Sequence, residues 1–336
     1  MTFRVGMIGT GWVAVDRHIP SLLAHPEVEF VGFHDHRPHR AAEVTQRFGL
    51  AGFPSVDALL REGLDGVSIA TSPWSHAEHA IAALDAGVHV FCEKPMAMDV
   101  RQAEAMAEAA SRAGRILTIS HNFSFSRSAR RARAFLGEQP DLRYASAVQL
   151  SSPARRLPTW YRDLPAGLLF DESPHLLYTL ARWCGDLSVA ATHATWDAEH
   201  REPATVEVLF SGAVPARATM VFGAPMSEWH VTLVGRAGVV DMDLFRDIAV
   251  RLTPDGSHAA GDIMRTSARG MLDHAAGFAA SGALLARGRL HWGHDVLIGR
   301  WIDACQGRIG NPVPLGESLA VVRLTDEILR SIGAVR

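Results

Sequence analysis

The chain has 336 residues, 48% of them apolar and 21% charged, a length that exceeds one ordinary core and a composition that suits a soluble, two-domain globular protein. A formal net charge of -3 excludes a nucleic-acid footprint, and the arginines between Arg127 and Arg133 read as a solvated helix face. No apolar run approaches the roughly 18 residues that a membrane helix requires.

In chain order, the first third alternates short β-rich apolar runs with helical stretches. Strands are expected at 4–8, 29–34, 66–70, 89–92 and 116–120, and helices at 12–24, 38–48, 55–62, 75–86 and 99–113. Gly49, Gly87 and Gly114 stand where left-handed C-caps precede the next strand. Ser75 with Glu78, and Asp99 with Gln102, read as capping boxes. Such alternation predicts an α/β, doubly wound parallel sheet over residues 1–122. The chain enters its first strand directly, without the basic start and longer apolar run of a signal peptide. Cys92, Cys184 and Cys305 lie far apart in apolar settings with no CxxC spacing. They are expected as buried thiols in a reducing, cytoplasmic compartment, with no metal site.

Gly9-Thr10-Gly11-Trp12-Val13-Ala14 follows the first strand and opens a helix. Gly9 allows the tight turn, Gly11 lets a pyrophosphate approach the backbone, and Ala14 lets the helix pack on the sheet. The helix N-terminus favours an anion. Asp35, at the end of the second strand, suits a ribose 2′-hydroxyl and repels a 2′-phosphate. NAD is therefore favoured, while Arg37, which can stack on adenine or grip a phosphate, leaves NADP open.

Of the 33 basic residues only Lys94 is a lysine. Lysine is a compact point donor whose charge responds to burial, which arginine is not, and here it lies in Val90-Phe91-Cys92-Glu93-Lys94-Pro95-Met96. Together with Ile69-Ala70-Thr71-Ser72-Pro73, His76, the run from Ala83 to Pro95, and Ser120-His121-Asn122-Phe123, this stretch resembles the Gfo/Idh/MocA oxidoreductases, which include glucose–fructose oxidoreductase and inositol dehydrogenase. The resemblance continues to Gly310-Asn311-Pro312 and the closing helix through Arg330. It implies that Thr71, Ser72, Pro73 and His76 line the cofactor, and that Glu93, Lys94 and Asn122 lie near the nicotinamide. His76 is alternatively a solvated residue of its capping box.

Residues 123–336 change texture. A basic helix at 126–137 precedes strands at 143–150, 188–197, 204–211, 215–223, 228–235 and 239–252, which predicts an α+β domain with a large open, mostly antiparallel sheet. The resemblance implies a homodimer or homotetramer through that sheet, with the C-terminal helix packing back towards the first domain. Asp171-Glu172-Ser173-Pro174-His175 reads as a helix start, with Ser173 as N-cap and Pro174 at the first helical position. Asp171 lies four residues before His175, a spacing that lets a carboxylate orient an imidazole. The resemblance makes Asp171, His175 and Lys94 the catalytic group. Ser173 stands where the family often has glycine, and Tyr178 where many sugar- and inositol-oxidising members have aspartate. Tyr178 either enters the pocket or packs under the sheet, and Trp160, Tyr161 and Arg162 are pocket or surface candidates on a loop. The stretch from Ser257 to Gly293 departs most from the family and reads as a lid or an oligomer arm.

The expected activity is NAD(P)-dependent interconversion of a secondary alcohol and a ketone on a carbohydrate-like substrate: a sugar, cyclitol or glycoside. Oxidation followed by elimination, as in an NAD-dependent glycosidase or lyase, and a non-catalytic cofactor-binding regulator are the alternatives.

Overall fold

The computed structural model describes residues 2–138, 140–197 and 202–334. The chain divides into two compact units, Met1–His121 with His294–Val322 and Asn122–Gly293 with Arg323–Arg336.

In the first unit, β1 (Phe3–Ile8), α1 (Ile19–Leu23), β2 (Val28–His34), α2 (Pro38–Phe48), α3 (Val56–Leu60), β3 (Gly66–Ile69), α4 (His76–Asp85), β4 (His89–Cys92), α5 (Val100–Ala113) and β5 (Leu117–Ile119) alternate as expected. Their strands form one parallel sheet in the order β2-β1-β3-β4-β5. Every residue of β3 is buried, as a strand covered on both faces requires. Gly49, Gly87 and Gly114 take φ of +69°, +78° and +60°, the left-handed values that spare a Cβ clash. Asp99 caps α5 by accepting from Gln102 N at 2.8 Å.

Two local expectations are corrected. The helix expected at 12–24 contains a π turn over Ala14–His18 before α1. Ser75 is no cap: Pro73 opens a 3-10 turn that takes Ser75 inside it, and the Ser75 hydroxyl bonds to Thr71 Oγ1 at 2.9 Å. The single cut at 122/123 also differs from the observed grouping, because residues 294–322 join the first unit. The reason is Trp301, which is fully buried and edge-on to Phe3 at 5.7 Å. It lies over Gly66, where a Cβ would approach its ring to 2.7 Å.

The second unit contains α6 (Arg127–Leu136), β6 (Leu142–Ser151), α7 (Leu168–Cys184), β7 (Leu187–Asp197), β8 (Glu202–Gly212), β9 (Ala216–Phe222), β10 (Glu228–Gly235), β11 (Gly238–Asp243), β12 (Ile248–Leu252) and α8 (Ala260–Ala286). The sheet order is β12-β11-β10-β6-β9-β8-β7, antiparallel except where β6 meets β9. The strand expected at 239–252 is two strands, since Leu244 is buried in the connecting turn and Asp247 takes φ +54° there. Helices α9 (His294–Cys305) and α10 (Leu315–Ser331) complete the chain.

The helix start expected at Ser173 is also corrected. Helix α7 begins at Leu168, so Asp171, Ser173 and His175 are interior and Pro174 lies inside the helix. Leu168, Leu169 and Phe170 are buried, and that apolar triplet extends the helix N-terminally past the proline. Gly167 precedes it with φ +55°.

Candidate active site

The turn after β1 admits only glycine at position 9. Gly9 has φ +86°, and a Cβ would lie 2.7 Å from Thr71 Cγ2 and 2.8 Å from Ala70 O. Gly11 differs, because its Cβ would meet nothing nearer than Ala70 O at 3.6 Å. Packing within the chain therefore makes no demand for glycine there, whereas a pyrophosphate against the bare backbone would. Ala14 is fully buried and Trp12 is 47% exposed, with the Arg17 guanidinium 5.2 Å from its ring centroid. These features fit a dinucleotide.

Asp35 is the best-served carboxylate of this unit. Its Oδ2 accepts from Thr10 N at 2.8 Å, Thr10 Oγ1 at 2.6 Å and Arg37 Nη2 at 2.8 Å. Its Oδ1 accepts from Arg37 N and Arg37 Nε, both at 2.9 Å. Burial opposes the charge, yet the bonds from Arg37 and Thr10 hold this carboxyl well below the usual range. Those five donors fill a carboxylate's roughly four lone-pair sites. A ribose hydroxyl reaching Asp35 must replace one of them, and the half-exposed Arg37 side chain is the one free to swing outward.

His76 does not face solvent. It is buried, with Nδ1 2.8 Å from Pro95 O and Nε2 3.2 Å from Thr71 O, so it ties the segment after β3 to the segment after β4. Burial lowers its affinity for a proton despite those two carbonyls. A depressed imidazole stabilises the fold above the unfolded value of about 6.5 and loses that contribution as pH falls. We expect the stability of the protein to decline below pH 6.5, by up to about 1.4 kcal/mol per pH unit for this group. Chemical denaturation at pH 5 to 7 should show a shallower decline in His76→Gln.

Glu93 and Lys94 follow β4 directly, and the peptide bond from Lys94 to Pro95 is cis. Glu93 is buried; Oε1 lies 2.8 Å from His18 Nε2 and 3.5 Å from His294 Nε2, and Oε2 accepts from Lys94 N at 3.1 Å. His18 Nδ1 is 2.8 Å from Ser68 Oγ. Burial lowers the His18 proton affinity and opposes charge on Glu93, but the bonds from His18 and His294 hold Glu93 ionised. A neutral His18 thus donates from Nε2 and accepts the Ser68 hydroxyl at Nδ1. His18, Glu93 and His294 also bring ligand atoms within 4.8 Å of one another, but the 2.8 Å separation is that of a hydrogen bond. Sequence reasoning missed both histidines. Residue 18 is brought inward by the π turn, and 294 is remote in the chain; only the habit of π turns to mark functional sites could have pointed to the first.

In the second unit a chain of hydrogen bonds runs from Asn122 through Tyr178 to His175. Asn122 Nδ2 donates to Trp292 O at 3.0 Å, which fixes the amide and leaves Oδ1 to accept from Tyr178 Oη at 3.0 Å. Tyr178 Oη accepts from Phe123 N at 3.2 Å and lies 2.9 Å from His175 Nδ1. With the tyrosine proton given to Asn122, His175 Nδ1 is the donor to Tyr178, and in the neutral ring Nε2 then carries the lone pair. Tyr178 is fully buried, so it is neither idle packing nor a wall for substrate; its hydroxyl orients the imidazole. Phe123 and Trp229 flank the His175 ring, each with centroids 5.1 Å away.

Asp171 lies one helical turn before His175 and is buried, and it contributes to the field at Arg155. Its neighbour Glu172, unforeseen in the sequence, is buried; Oε2 accepts from Gln149 Nε2 and Ser151 Oγ, both at 2.7 Å, and it pairs with Arg155. Trp160, Tyr161 and Arg162 occupy a short 3-10 turn at Thr159–Asp163 with no buried residue, where Arg162 Nε donates to Tyr161 Oη at 3.1 Å.

Residues 3–121 match the family model described as the oxidoreductase family, NAD-binding Rossmann fold. Inositol 2-dehydrogenase 3 of Saccharopolyspora erythraea is 40% identical over 119 residues, 35% of each chain. D-glucoside 3-dehydrogenase of Escherichia coli is 34% identical over 126 residues, 37% of this chain and 36% of that one. The chain thus matches about a third of the length of these curated relatives. Among solved structures, UDP-N-acetylglucosamine 3-dehydrogenase from Acidithiobacillus ferrooxidans superposes with a TM-score of 0.78 over 99% of both chains at 19% identity, a likeness of fold.

Proposed function

We propose that the protein, whose residues 3–121 match the NAD-binding Rossmann-fold model of the Gfo/Idh/MocA oxidoreductases, is an NAD(P)-dependent oxidoreductase interconverting a secondary alcohol and a ketone on a sugar, cyclitol or glycoside. The observation that carries this reading is the hydrogen-bond chain that runs from Asn122 through Tyr178 to His175 Nδ1. An imidazole held with Nδ1–H against Tyr178 presents Nε2 as a base, which alcohol oxidation needs.

Gly9, Thr10, Gly11, Trp12 and Ala14 would hold the pyrophosphate side of a dinucleotide, with Asp35 and Arg37 towards its ribose and Thr71, Ser72, Pro73 and His76 shaping the segment after β3. Glu93 and Asn122 act through their hydrogen bonds, the first on the backbone of Lys94 and the second on Tyr178. A bound nicotinamide would supply the hydride chemistry. His175 Nε2 takes the hydroxyl proton, Tyr178 and Asp171 position the ring and steady its charge, and Lys94 donates to the developing alkoxide. Self-association is proposed through the face of the sheet on which Leu209 is exposed. Three unpaired thiols, Cys184 pushed up to about 11 by burial, support a reducing, cytoplasmic setting. No helix among the described residues is long and apolar enough to cross a membrane.

The test is titration of the purified protein with NADH and NADPH by nicotinamide fluorescence, followed by a sugar, cyclitol and glycoside panel read as absorbance change. NADH is expected to bind more tightly, and Asp35→Ala should narrow its margin over NADPH. Binding of neither cofactor by folded protein would overturn the proposal.

A further inference from the structure

Helix α8 is inside out. Its buried stripe is small or polar: Asp273, Gly277 and Ser281 face the body of the unit, while the large apolar side chains point to solvent. Asp273 is gripped by Arg251, with Nε to Oδ2 at 2.9 Å and Nη2 to Oδ1 at 2.6 Å, and Ser281 accepts from Arg127. Gly277 lies so close to β12 that a Cβ would come within 2.7 Å of Ile248 Cγ2. The helix is therefore tightly docked by that stripe, and its outward face is a fixed surface.

On that face Met264, Met271, Phe278 and Leu285 are 70%, 69%, 64% and 62% exposed and recur at every seventh position. Ala268, Ala275 and Gly282 follow the first three by four residues, beside them on the same face. From Ala275 to Ala286 the helix has no ionisable side chain. A strict seven-residue repeat is the pattern of a helix that packs against another helix, because only a second helical lattice makes that register matter. Small residues beside each large one allow the partner close. Taking about 200 Å² for a large side chain, these four and Leu272, 69% exposed, offer roughly 650 Å². That exceeds the few hundred Å² of an ordinary monomer patch and nears the roughly 800 Å² per partner of a stable interface.

We propose that the exposed seam of α8 packs antiparallel against α8 of a second copy of this chain. The repeat is self-complementary about the middle of the helix, between His274 and Ala275. A twofold axis there sets Met271 against Phe278 of the partner subunit, and Met264 against Leu285 of the partner subunit. Helix α8 packs on the edge strand β12, away from Leu209 on β8 near the other edge of the sheet.

The full chain should be weighed in solution by light scattering or sedimentation, as wild type and as Met271→Glu and Phe278→Glu. Both positions are mostly solvent-exposed, and unchanged circular dichroism would show retained fold. The wild type is expected to be a dimer or larger, with each substitution halving its mass. Ala275→Cys is expected to give a disulfide-linked dimer under mild oxidation that the wild type, with its native thiols, does not. A monomeric wild type, masses unchanged by both substitutions, or no Ala275→Cys dimer would overturn the proposal. So would flotation of a monomeric wild type with phosphatidylcholine–phosphatidylglycerol vesicles, which would assign the face to lipid.

Discussion

His175→Ala should lower kcat by about 10²–10⁴-fold between pH 6 and 9, the range that a positioned proton acceptor supplies. Steady-state rates with a substrate from the sugar panel measure it, and a fully active variant removes His175 from the chemistry. Tyr178→Phe is the companion test, since its hydroxyl lies 2.9 Å from the imidazole Nδ1. Losing one neutral hydrogen bond of about 1.4 kcal/mol corresponds to roughly tenfold in kcat. A structural role alone would move stability but not the pH profile. Here the acid limb of the profile should shift to lower pH, because Tyr178 accepts the Nδ1 proton that the charged ring needs to keep. Unaltered limbs would make Tyr178 a packing residue.

How much of this could be read from the chain follows from distance in sequence. The βα alternation and the tight turn at Gly9 were legible because each is specified by its neighbours: a strand before, a glycine turn, a helix after. β10 was expected and found at 228–235. His18 and His294 were not legible, because Glu93 gathers them from both ends of the first unit. Nor was the role of Tyr178. The i,i+3 spacing to His175 was visible, but the direction of the tyrosine proton depends on Asn122, which in turn depends on Trp292 O, 170 residues away. The start of α7 was misplaced because proline at 174 is a stronger local signal than the buried Leu168–Phe170 triplet that overrides it. The inverted polarity of α8 was hidden for the same kind of reason. Its seven-residue repeat reads as an ordinary core stripe until burial shows the opposite face turned inward.

Lys94→Ala is expected to cost kcat about 10²–10³-fold while leaving the NADH dissociation constant within a few-fold. The backbone on either side of Lys94 is held: its own N–H is bonded to the buried Glu93 carboxylate at 3.1 Å, and the next carbonyl, Pro95 O, lies 2.8 Å from His76 Nδ1. An ammonium anchored on a fixed backbone at the end of a buried strand loses little freedom on meeting a forming alkoxide, so its hydrogen bond strengthens selectively in the transition state. Glu93→Gln separates support from chemistry. It keeps the shape and an acceptor oxygen but removes the charge, and should lower kcat less than Lys94→Ala does. Parallel fluorescence titration and turnover of both variants decide the matter: equal losses of affinity and kcat in Lys94→Ala would recast the residue as part of the cofactor cradle. A Lys94→Arg variant sharpens the point further. Arginine keeps the charge but spreads it over a wide planar fork, so it should bind NADH normally and still turn over far more slowly than the wild type.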